Sequence, residues 1–62
     1  MRELLRFDCI VNGLDNISFH QDKMYEDEME IRIYDGYKEE EFAVVLSKEQ
    51  IKEVIRTLTN IL

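Results

Sequence analysis

The spacing of apolar residues changes once along this chain, from every second position to every third or fourth, and the change falls at Ser47. Before it, Leu5, Phe7, Cys9 and Val11 alternate with Arg6 and Asp8, and Ile17 and Phe19 with Ser18 and His20. Met29, Ile31 and Ile33 then alternate with Glu30, Arg32 and Tyr34, and Phe42, Val44 and Leu46 with Ala43 and Val45. Period two is the pattern of a strand with one face turned to a core. Asn12-Gly13 and Asp35-Gly36 place turn chemistry between the runs. After Ser47, the residues Ile51, Val54, Ile55, Leu58, Ile61 and Leu62 recur at helical spacing. Sheet first and helix last is the order this implies.

The boundary carries its own signal. Ser47 followed by Gln50 is a capping box, and Leu46 with Ile51 occupies the two positions of a hydrophobic staple. A helix is therefore predicted from about Lys48 to Ile61, roughly 21 Å long. Lys48, Glu49, Lys52, Glu53, Arg56 and Asn60 take its opposite face. Its apolar stripe is predicted to pack on Phe7, Ile31, Phe42 and Val44. The fold class expected is α+β: a four-stranded antiparallel sheet, a β-β-β-β-α meander, with one C-terminal helix packed on one face. Residues 1–62 form a single small domain.

Register follows from matching faces. Pairing Met29 with Val44 and Ile31 with Phe42 leaves a four-residue loop, Asp35 to Lys38, and sets Arg32 opposite Glu41. A loop from Asn12 to Asn16 pairs Val11 with Ile17 and Cys9 with Phe19. It also sets Arg6 opposite Asp22 and Asp8 opposite His20. Cys9 then points into the core and His20 points out.

A chain of 62 residues buries only about 60% of the surface its unfolded form exposes. Chains this small often need a staple or a second subunit. Cys9 is the one cysteine, so no internal disulfide and no cysteine zinc site is expected. A lone thiol points to a reducing, cytoplasmic setting. Arg2, Glu3 and Arg6 interrupt the N-terminal run, and no apolar stretch nears the roughly 20 residues of a membrane span. Leu4, Ile10, Tyr34, Ala43 and Val45 are left on the outer sheet face. An apolar patch there predicts a homodimer, with Leu4, Ile10, Ala43 and Val45 as its contacts.

The net charge of −6 lies in one third of the chain. Between Asp22 and Glu41 nine acids stand against three bases; the rest is neutral. Nucleic-acid binding is disfavoured, because displacing phosphate counterions takes clustered Lys and Arg. The acids Glu26, Asp27, Glu28 and Glu30 lack the glycine and ligand offsets of a calcium loop, so no metal is expected. Cys9 and His20 are the only pair from which a thiol–imidazole nucleophile could be built, and the register puts them on different faces. Ser47 is explained by capping, and Ser18 has no elbow motif. No enzyme and no cofactor is expected.

In size, charge and want of catalytic residues the chain resembles small acidic proteins of phages and mobile elements that block nucleic-acid enzymes. Uracil-DNA glycosylase inhibitors and some anti-CRISPR proteins are of this kind. The resemblance covers composition and carries over no residue. It implies an inhibitor or modulator of a protein with a basic surface. The acidic stretch and its tyrosines are the expected contact: Tyr25, Glu26, Asp27, Glu28, Glu30, Tyr34, Asp35, Tyr37, Glu39 and Glu40. A structural or assembly subunit kept acidic for solubility is the alternative. A sponge for a small signalling nucleotide is the third, and needs a cationic pocket at a subunit interface.

Overall fold

The structure is a computed structural model and describes residues 2–22, 24 and 26–62. Four strands, β1 (Arg2–Asp8), β2 (Asn16–Gln21), β3 (Glu28–Asp35) and β4 (Glu40–Ser47), precede one helix, α1 (Lys48–Ile61). The strands form an open antiparallel sheet in the order β1-β2-β3-β4. The meander and its terminal helix are those the periodicity predicts.

Alternation sorts the side chains into two faces. Leu5, Phe19, Ile31 and Val44 form one lateral row of an apolar face, and Phe7, Ile17, Ile33 and Phe42 the next. On the other face, Arg6, Ser18, Arg32 and Ala43 form a row beside Glu3, His20, Glu30 and Val45. A bulge at Leu4 keeps Glu3 in step with His20.

Both registers differ from expectation. In the first hairpin Asp8 pairs with Asn16 and Phe7 with Ile17, so Cys9 to Asp15 leave the ladder. The Cys9 amide donates to the Asp15 carbonyl at 2.8 Å, and the Asn12 side chain accepts from the Leu14 amide at 3.1 Å. This side-chain turn closes the loop earlier than Asn12-Gly13 alone suggested. Cys9 is consequently exposed rather than in the core, and Ile10 and Val11 stand in solvent. In the last hairpin Ile31 faces Val44 and Ile33 faces Phe42, a shift of two residues that keeps the faces. The Asp35 carboxylate accepts from the amides of Tyr37 and Lys38 at 3.0 and 3.2 Å, and Glu39, at φ 55°, closes the turn. Arg32 therefore sits opposite Ala43 and reaches Glu41 diagonally, at 3.5 Å.

The helix forms as its caps dictate. The Gln50 amide donates to Ser47 Oγ at 3.2 Å and the Ser47 amide donates to Gln50 Oε1 at 2.9 Å. Its packing is the main correction. The helix approaches β3 and β4 only, near its own start, and reaches neither β1 nor β2. Leu58 is 51% exposed, and Phe7, Phe42 and Val44 are open on the sheet. No apolar side chain among the described residues is buried. The reason is the junction. β4 ends at Ser47 and α1 begins at Lys48 with no residue between them, and the Lys48 amide donates to the Asp27 carbonyl at 2.7 Å. Helix direction is set before the stripe can reach its own sheet.

The two ends of the sheet are held differently. At one end the Gly36 amide donates to Asp15 Oδ1 at 2.9 Å, joining the first and last hairpin loops. A Cβ at Gly36 would lie 2.2 Å from the Leu14 carbonyl oxygen, whereas one at Gly13 would meet nothing within 4 Å. Gly36→Ala should therefore cost about 1–3 kcal/mol in urea unfolding. Gly13→Ala should stay within about 0.5 kcal/mol of the wild type. Equal effects would show that the two loops are not packed in this way.

Candidate protein-binding surface

Burial in this sheet is reversed from that of an ordinary core. Among the described residues the two that are buried are polar, Ser18 and His20, both on the polar face of the inner strand β2. His20 Nε2 and Ser18 Oγ are 2.8 Å apart. Arg6 and Arg32 flank Ser18 in its row, and their heads reach carboxylates. Arg6 pairs with Glu3 at 2.7 Å, and Arg32 with Glu30 and Glu41. The hydrogen bond to Glu30 raises the Arg32 pKa against the opposing effect of burial, and the charges of Glu30, Glu41 and Glu3 add to it. Arg6, Ser18, His20, Arg32, Tyr34 and Glu41 are among the residues that line a shallow concavity of about 260 Å³. Both guanidiniums there are already paired, so it presents no net positive charge to a nucleotide.

The residues expected to bind a partner fall into three places rather than one. Glu26, Asp27 and Glu28 stand at the β2–β3 end of the sheet. Asp35, Tyr37, Glu39 and Glu40 stand at the β3–β4 end, about 25 Å away along the eight residues of β3. Glu30 lies mid-sheet on the polar face beside Arg32, and Tyr34, on the same face between Asn16 and Glu41, lies next to the β3–β4 end. Tyr25 lies outside the described residues. Charge is sorted along with position. Glu30 and Glu41 are ion-paired, whereas none of the six carboxylates at the two ends is, among the described residues. Glu40 even faces Asp35 across the hairpin, an opposition of like charges that weakens a ladder.

The residues expected to self-associate do not form the patch foreseen. Leu4 is at the bulge of edge strand β1, Ile10 is fully exposed in the β1–β2 loop, and Ala43 and Val45 lie on the opposite edge strand β4. The polar rows of β2 and β3 separate them. The larger apolar surfaces are elsewhere: Leu5, Phe7, Ile33, Phe42 and Val44 on the sheet, and Val54, Ile55, Leu58 and Ile61 on the helix. Periodicity marks all of these as core. The one hint to the contrary was the absence of any linker between Leu46 and the cap at Ser47.

Cys9 and His20 are kept apart. His20 pairs with Glu3, and Cys9 lies beyond the far end of β1, about 20 Å away by strand rise. No group of three or more His, Cys, Asp or Glu side chains suited to a metal ion occurs among the described residues. No helix among them is long and apolar enough to cross a membrane. No protein-family model, curated protein or solved structure matches this chain.

Ser18 is the test of the polar face. Removing its hydroxyl leaves the buried His20 ring nitrogen without its partner, so Ser18→Ala should cost about 1–3 kcal/mol in urea unfolding. A variant as stable as the wild type would mean that water reaches His20.

Proposed function

We propose that this chain is a non-catalytic acidic binding protein that docks on a protein with a basic, nucleic-acid-handling surface and inhibits or modulates it. The sorting of its acids supports this most. Carboxylates in the middle of the sheet are neutralised by Arg6 and Arg32, while those at both ends are left unpaired among the described residues. Folding alone does not favour Glu40 opposite Asp35. Tyr37, 74% exposed among Asp35, Glu39 and Glu40, adds apolar contact area at low entropic cost. The composition shared with small phage-encoded inhibitors agrees with this reading, and the lone exposed thiol fits a reducing, cytoplasmic setting. A second reading, a small assembly subunit with acidity for solubility, is favoured by the uncovered apolar faces.

The two ends of the sheet offer separate contacts, so they are tested separately. Protein captured from a bacterial lysate by the immobilised chain should elute as salt shortens the Debye length from about 10 Å to about 3 Å. Duplex DNA should displace it. Reversing Glu26, Asp27 and Glu28 to lysine, or Glu39 and Glu40 to lysine, should weaken binding about tenfold or more in at least one case. Reversing the helix acids Glu49 and Glu53 should leave it unchanged. Full retention by every variant would leave the assembly reading, and equal loss from the sheet-end and helix sets would reduce the effect to net charge.

A further inference from the structure

This chain carries two apolar surfaces that it cannot bring together itself. One is the sheet face with Leu5, Phe7, Ile33, Phe42 and Val44 exposed; the other is the helix stripe with Val54, Ile55, Leu58 and Ile61 exposed. Their combined effect is measurable. The chain exposes 5336 Å². A compact monomer of 7.5 kDa exposes about 4,250 Å². The excess, about 1,100 Å², exceeds the roughly 800 Å² that each partner contributes to a stable interface.

The two surfaces also match each other. The helix is 14 residues, about 21 Å long. Four strands spaced about 4.8 Å apart, with their side chains, offer an apolar face of about 19 Å across. Sheet face and helix stripe are the usual two halves of one α/β layer contact. Here the junction at Ser47 and Lys48, held by the capping box and the Asp27 carbonyl, directs the helix away from its own sheet.

We propose that two copies of this chain associate by reciprocal docking, with α1 of each lying across the apolar sheet face of the other. One two-fold operation covers both sheets and both helices, whereas stacking sheet on sheet leaves the helix stripes in water. A second copy is the occupant because each chain supplies both halves of the contact in equal number. The interface uses neither acidic end of the sheet and stands apart from the function proposed for them.

The test uses the intact protein. Sedimentation equilibrium of the wild type at micromolar concentration should give a dimer. A nitroxide on Thr57→Cys, in a Cys9→Ser background, is then mixed with ¹⁵N-labelled chains that carry no nitroxide. The amides of Phe7, Ile33 and Phe42 in the ¹⁵N chains should broaden, because the labelled helix lies over them in trans. Leu58→Asp should shift the protein to monomer, and Val45→Lys, on the opposite sheet face, should leave the dimer intact. A wild-type monomer overturns the proposal. So does a dimer whose Phe7, Ile33 and Phe42 amides stay sharp in the mixture, or one abolished by Val45→Lys.

Discussion

Ser47 does two jobs, and the shape of the chain depends on their coincidence. It is the last residue of the β3–β4 ladder, opposite Glu28, and it is the N-cap of the helix. Its hydroxyl accepts from Gln50, its amide donates to Gln50, and the next amide donates to Asp27. Two consecutive residues thus have their backbone donors committed, one to the helix and one to the neighbouring hairpin. A strand joined to a helix through a loop can fold the helix back over the sheet. Here the strand passes into the helix through one shared residue, and the helix reaches β3 and β4 alone. Local bonding here outranks the burial of the stripe.

What remains within one chain is a sheet stabilised from its polar side. Ser18 and His20 are buried on that side, Ser18 between Arg6 and Arg32 and His20 between Glu3 and Glu30. Ion pairs this exposed each contribute little. The hydrophobic term that normally dominates folding is only partly used, because Ile17, Phe19, Ile31 and Leu46 are half-buried and no apolar side chain among the described residues is fully buried. A chain of this size with no buried apolar core is marginal as an isolated unit. Its apolar surface is therefore the first candidate for a role in association.

The charge pattern is organised by the same sheet. Glu30 meets Arg32 along β3 and Glu41 meets it diagonally from β4, whereas among the described residues the acids in or beside the turns form no ion pair. A segment that is continuous in sequence is thereby divided into two separate ends and a neutralised middle. Any partner engaging the acidic residues meets them as two sites joined by the length of β3, not as one strip.

Element types were legible from spacing alone, since alternation at Ile31–Ile33 and Phe42–Val44 and the stripe from Ile51 to Leu62 depend only on neighbours along the chain. The helix start at Ser47 was legible for the same reason: a cap is a bond between residues three apart. Registers were not. They turn on Asn12 and Asp35 bonding their own loops and on Gly36 meeting Leu14, contacts that spacing does not encode. The pairing of Arg32 with Glu41 was legible from matched faces, whereas the separation of the other acids into two ends depends on where the turns close. Above all, the alternation determined that two apolar surfaces exist, and only the tertiary structure decided that they do not meet within one chain. That decision rests on the direction of α1 relative to β4, which a carbonyl on the neighbouring hairpin, that of Asp27, holds in place.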